Sequence, residues 1–259
     1  ALWGTFPAAF LVLLAYTFFA GRYLNPILPC LAAAAGVTVS ALASRWGPRA
    51  ALAITLAAAV QPLYYAVQVD RLFAGQDTRT LARRWILDHV PDGAALALQS
   101  YSVPLPQSAI SVRESLEANR ALDELNRRGK YAHLLEHAEE AKPAYRLYFV
   151  GRGDEKNRTY FDYRELVEQE LQPLRRRDVD YVVLRQAPST PPPEVVAFIQ
   201  TVERKGCLLA RISPFAGDPD PPAAELGHPY LDNEDWAPRA TLSNKGPLVE
   251  VWAIGEDDR

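Results

Sequence analysis

The chain has 259 residues, a net charge of −3, 49% hydrophobic residues, no methionine and two cysteines. An almost balanced charge with no basic stripe excludes a nucleic-acid partner, and Cys30 and Cys207 are too few for a disulfide framework to be the main source of stability. The absence of any methionine predicts a fragment or processed piece of a longer polypeptide.

Charge is spread unevenly. Residues 1–21, 23–44 and 50–69 carry no charged side chain, whereas charges recur every few residues after Asp70. Each run has about the length a helix needs to cross roughly 30 Å of hydrocarbon. The spacing predicts three membrane-spanning helices, over 3–20, 24–44 and 49–69, giving a membrane unit at 1–70 and a polar domain at 71–259. Buried helices of a soluble core are the alternative, but three long uncharged runs in succession fit it poorly. A signal peptide explains the first run no better, since no basic n-region precedes it. The positive-inside rule places Arg45 and Arg49, in the loop "SRWGPRA", in the cytoplasm, so that Arg22 and everything after Asp70 face outward. Trp3, Trp46, Tyr23, Tyr64 and Tyr65 then fall near the interfaces, where amphipathic rings collect.

The polar domain opens with "DTRTLARRWILDHVPDG", which reads as a helix capped by Asp77 or Thr78, apolar along Leu81, Trp85 and Ile86, and ended by Pro91 to Gly93. An apolar run, "AALALQSY", suits a buried strand. Helices are expected at about 113–128 and 131–140, a strand at 145–151, a helix at 163–176 and a strand at 180–186. "PPEVVAFIQTVERKG" reads as a helix, "CLLARISPF" as a strand, and "PLVEVWAIG", 247–255, as the closing strand. Strands alternating with helices predict an α/β domain with a mostly parallel sheet covered on both faces. Residues 216–246 show no periodicity and read as a long loop.

Signature motifs of α/β enzymes are missing. "SYSVPLPQS" follows the first strand where a Gly-rich phosphate loop would stand, and no GxSxG elbow occurs. His133 and His137 lie four apart in "HLLEHAEE" with Glu136, Glu139 and Glu140 nearby; a metal pair is conceivable, and a solvated helix face is the simpler reading. The acidic stretch Asp232 to Asp235 lacks the glycine and alternation of a calcium loop and reads as a solvated turn. "RRRDVD", 175–180, reads as a helix end whose cations complement the dipole, with a contact to anionic lipid head groups as the sharper alternative. Arg22 is either an interfacial anchor or a binding cation.

Three stretches carry a resemblance. "RYLNPILP", with Arg22, Tyr23, Pro26 and Pro29, resembles the entry to a late transmembrane helix of GT-C class, polyprenyl-phosphate-sugar-dependent membrane glycosyltransferases, such as protein O-mannosyltransferases and the aminoarabinose transferase of lipid A; Asn25 stands where many relatives carry an aliphatic residue. "DTRTLARRWILDHVPDG" is similar to the opening of their extracytoplasmic C-terminal domain, through Asp77, Thr78, Arg79, Ala82, Trp85, Ile86, Pro91 and Gly93. "EDWAPRATLSNKGPLVEVWAI" is similar to its closing stretch, through Asp235, Pro238, Gly246 and Pro247.

The resemblance implies a multi-pass enzyme of a bacterial inner (plasma) membrane that moves a sugar from a polyprenyl-phosphate carrier to an acceptor on the outer face. Its catalytic carboxylate would sit in an early outer loop that this fragment lacks, leaving no catalytic residue here. Arg22, Tyr23 and Asn25 are the implied substrate-binding residues, and no metal ligand is implied. An arginine at the bilayer surface suits a departing phosphate, because its fork matches phosphate oxygens and it stays protonated. The rival expectation is a non-catalytic membrane-anchored module whose α/β domain binds an envelope protein or glycan.

Overall fold

A computed structural model describes residues 28–100, 102–118, 132–138, 142–152, 161–186, 192–217 and 242–254. They fall into two compact units, one ending at Gly75 and the other beginning at Gln76.

The first unit is a helical hairpin of α1 (Leu28–Trp46) and α2 (Pro48–Ala74). Gly47 takes φ +84° at the turn, a left-handed conformation that glycine adopts without a Cβ penalty, and Pro48 starts the next helix where its missing N–H is not needed. The expected helix at 3–20 lies outside the described residues. The second expected helix, 24–44, is described from Leu28 and runs to Trp46; the third, 49–69, continues to Ala74, past Asp70 and Arg71. Among the described residues one helix, α2, is long and apolar enough to cross a membrane. Its large side chains point outward on all sides, with Leu52, Val60 and Leu63 each about 60% exposed or more, and Ala51 and Leu72 are its buried residues.

The second unit is built on α3 (Thr78–His89), β1 (Ala95–Gln99), α4 (Ala109–Ala118), β2 (Arg146–Gly151), β3 (Phe161–Asp162), α5 (Tyr163–Glu168), α6 (Gln172–Arg175), β4 (Tyr181–Gln186), α7 (Pro193–Lys205), β5 (Cys207–Ile212) and β6 (Leu248–Ala253). The six strands form one sheet in the order β3-β2-β1-β4-β6-β5. β1 pairs in parallel with β2 and β4, and β2 with β3, whereas β6 runs antiparallel to both its neighbours. The sheet is therefore mostly parallel, as expected, with the last strand inserted between β4 and β5 rather than added at an edge.

Alternation along the strands divides the core. Ala95 and Ala97 of β1 meet Tyr148, Val150 and Val182 beneath α5, α6 and α7, while Leu96 and Leu98 meet Ala82 and Ile86 of α3 and Val90 just after it, together with Val183, Val249 and Val251. Both faces are buried, which is why β1 reads as a continuous apolar run. Asp77 caps α3, its side chain accepting from Arg79 N at 2.8 Å. Of the expected apolar side of α3, Ile86 is fully covered, as is Ala82, whereas Leu81 is half-exposed and Trp85, packed against the edge of the core, stacks on His89 with centroids 4.5 Å apart.

The single helix expected at 163–176 is two. Glu170 and Leu171 adopt φ of 47° and 65°, and Pro173 stands where its ring would strike the carbonyl of Gln169 in a continuous helix. The break is repaid by burial, since Leu171 and Leu174 are fully enclosed. The helix expected at 113–128 is described as α4 over Ala109–Ala118, and the strand expected from Cys207 to Phe215 ends at Ile212. α4 holds β2 through side chains: Ser111 Oγ accepts from Leu147 N at 2.9 Å, and Glu114 pairs with Arg146 at 2.7 Å and accepts from the Tyr148 hydroxyl at 3.2 Å. Glu250, 2% exposed within β6, is compensated by Arg211 at 3.1 Å and the Trp252 indole at 3.2 Å.

The beginning and end of this unit are clasped together. Thr78 N donates to Lys245 O at 2.7 Å, and the buried Thr78 hydroxyl donates to Pro247 O at 2.6 Å. Gly246 sits against them at φ +108°, and a Cβ there would strike Thr78 Oγ1 and come within 2.6 Å of Asp77 Oδ1. Gly246→Ala is expected to destabilise this unit by roughly 2–4 kcal/mol, combining left-handed strain with overpacking. Thr78→Val, which strands a buried carbonyl, should cost about 1–3 kcal/mol. Urea unfolding followed by tryptophan fluorescence measures both, and a shift below 1 kcal/mol for Gly246→Ala would contradict the clasp.

Candidate functional site

Arg22, Tyr23 and Asn25, the residues expected to bind substrate, lie outside the described residues, as do Asp232 to Asp235. The described polar unit offers a different candidate. In an open α/β sheet the chain leaves β1 toward β2 on one side and later returns to β4 on the other, so the crossovers diverge between β1 and β4. Loops at the carboxyl ends of the two strands part there, which is where such sheets ordinarily receive ligands.

The residues at that edge are polar and closely tied. β1 ends at Gln99, whose Oε1 accepts from Arg185 N of β4 at 2.7 Å, spanning the divergence point. Ser102 N donates back to Gln99 O at 3.1 Å, which folds the chain into a turn directly after the strand. Ser100 reaches β2 instead, with N 3.3 Å and Oγ 3.5 Å from Val150 O. One step beyond β2, Arg152 pairs with Glu194 in the first turn of α7 at 3.3 Å, so a cation and a carboxylate also stand on this edge.

Ser102 is the unusual member. It is 3% exposed, and its Oγ meets no hydrogen-bond partner among the described residues. A buried hydroxyl without a partner costs about 1–3 kcal/mol, and native structures retain few of them. Among the described residues no base is hydrogen-bonded to the Ser102 hydroxyl. Hydroxyl, carboxamide and guanidinium groups on one strand edge can donate and accept hydrogen bonds.

Burial shifts titratable groups elsewhere in the unit. Burial, with Asp92 and Asp88 adding to it, raises the Tyr145 phenol above its ordinary value, and its hydroxyl lies 3.2 Å from Ile86 O and 3.3 Å from Val90 O at the end of α3. Burial likewise raises the Glu203 carboxyl on α7, with the nearby Glu250 charge adding and Arg211 opposing.

No family model, no curated protein and no solved structure matches this chain. The sequence reading passed over Ser102 and Gln99 because "QSYSVP" looks like an ordinary strand exit. The available signal was their place after a fully apolar run, at the first turn of an α/β unit.

Ser102→Ala removes a hydroxyl that has no partner and should raise the stability of the polar unit by about 1 kcal/mol or more. A loss of stability in denaturant unfolding would show that the hydroxyl is bonded in solution and withdraw it from the candidate site.

Proposed function

We propose that this chain is the C-terminal part of an integral-membrane glycosyltransferase that moves a sugar from a polyprenyl-phosphate donor to an acceptor on the outer face of a bacterial inner membrane. In this reading three helices, over about 3–20, 24–44 and 49–69, complete a membrane bundle. The α/β domain caps it from outside and shapes acceptor access at the carboxyl edge of its sheet.

The observation that carries the reading is α2. It extends over 27 residues with apolar side chains facing outward around its whole circumference, and it leads within three residues into a separate α/β unit. Arg49 and Asp70 stand 21 positions apart, or about 31 Å of helix, close to the thickness of a bilayer core. Each large apolar side chain left in water forgoes about 1.5–3 kcal/mol, so the eight on α2 need either lipid or more protein around them. A core helix of a soluble protein would be covered, and this one is not. The clasp adds support: Asp77 and Thr78 belong to one of the stretches that resemble the lipid-linked sugar transferases, Gly246 and Pro247 to another, and they pack together across 169 residues of sequence.

In the intact protein Arg22 would meet the donor phosphate and stabilise it as it leaves, with Tyr23 and Asn25 beside it. Arg22→Ala should lower transfer from a polyprenyl-phosphate sugar by on the order of 100-fold, the usual cost of removing one preorganised donor to a developing anion. Membrane insertion should be unchanged. Full transfer in this variant would leave Arg22 as an interfacial anchor.

Topology has an independent reporter. Cys207 is exposed at the start of β5 and Cys30 lies in α1, and neither is in a disulfide. A membrane-impermeant maleimide should label Cys207 in intact cells with the outer membrane permeabilised, and a Cys207→Ala control should abolish that labelling. Labelling only after lysis would put the α/β domain in the cytoplasm and overturn an outer-face reaction.

A further inference from the structure

Among the described residues, one group of nitrogen and oxygen donors converges outside the sheet edge. Residues 132–137 are helical, and His133, Glu136 and His137 are all exposed on that helical turn. At 100° per residue their side chains occupy an arc of about 100°, while Leu134, Leu135 and Ala138 lie on the opposite side. Those three are half-buried or buried, so the turn is anchored by its apolar side and presents the donors outward.

The donors face one another instead of dispersing into solvent. The imidazole rings of His133 and His137 meet edge to face with centroids 4.7 Å apart, and His133 Nδ1 lies 3.6 Å from Glu136 Oε2. One ligand atom from each residue falls within 4.8 Å of the other two. Around a tetrahedral zinc with bonds of about 2.0–2.1 Å, donor atoms stand about 3.3 Å apart. Closing the remaining gap, up to about 1.5 Å, needs only rotation of exposed side chains.

We infer that His133, Glu136 and His137 form a surface site for a divalent transition ion, zinc above all. Two imidazoles and one carboxylate match the donor set of zinc, nickel and copper(II), whereas magnesium and calcium prefer oxygen donors alone. The spacing explains why neighbours on one turn suffice: His133 and His137 are i and i+4, and Glu136 fills the i+3 place between them. The sequence reading set a metal aside for want of a third ligand at a recognisable distance; the carboxylate already inside the turn supplies it. Three protein ligands leave a fourth position open to water or to a donor on another molecule. The inference does not depend on the membrane reading or on sugar transfer.

The test is a calorimetric titration of the full chain in detergent micelles with Zn2+, and separately with Mg2+. Wild type should bind one Zn2+ that Mg2+ does not displace. His133→Ala and His137→Ala should each weaken Zn2+ binding by at least the roughly 10- to 100-fold that loss of even an outer partner costs, and Glu136→Gln should weaken it less. Cobalt(II) in place of zinc should give visible bands that the histidine variants lose and no thiolate charge-transfer band, which separates this site from Cys30 and Cys207. No zinc binding by wild type, or equal affinity in His133→Ala or His137→Ala, would overturn the site. Equal affinity in Glu136→Gln would overturn the three-ligand arrangement.

Discussion

The polar unit depends on the hydroxyl of Thr78. Fully buried at the start of α3, it donates to the carbonyl of Pro247 while the amide of the same residue donates to Lys245. The two bonds fix the chain immediately before β6, and β6 then slots between β4 and β5 with Val183 opposite Val251 and Ile212 opposite Val249. Had the lead-in shifted by one residue, Glu250 would leave Arg211 and the Trp252 indole, and an uncompensated carboxylate would sit in the core. Gly246 belongs to the same constraint, because a side chain there would collide with the Thr78 hydroxyl and the Asp77 capping carboxylate.

The two units differ in character. The polar unit buries both faces of β1 and pairs its buried Glu250 with Arg211. The hairpin of α1 and α2 buries little of its apolar surface among the described residues. Proteins do not ordinarily leave such surface to water, and the proposal of a membrane enzyme rests on that imbalance. The orphaned Ser102 hydroxyl is a smaller imbalance of the same sort: a cost in the folded chain that a bound polar ligand would offset.

Much of the architecture was legible because its signals are local. The apolar run at 95–99 is a buried strand, the Asp77 cap starts a helix, and Pro91 with Gly93 at φ +82° ends it. The strands at 146–151, 181–186, 207–212 and 248–253 fall inside the expected segments. What escaped depended on partners distant in sequence. Nothing in "PLVEVWAIG" says that it runs against its neighbours, and the left-handed Leu171 that divides one expected helix is stabilised by burial, which no window of residues reveals. Of the side of α3 expected to be apolar, Ile86 is enclosed while Leu81 and Trp85 stay half-exposed, and the smaller Ala82 takes the other covered place. The site was the least legible part, since a serine in a polar stretch looks solvated until the surrounding chain encloses it.

The placement of β6 has a consequence for synthesis. Until residues 248–253 leave the ribosome, β4 and β5 have no strand between them, and the bonds that β6 would supply face water or another chain. The first four strands can assemble as they emerge, but the sheet closes only when its most distal strand arrives. A nascent chain halted before Leu248 therefore carries an open edge along Val182, Val183 and Leu184, exposed to pairing with another chain until β6 fills it.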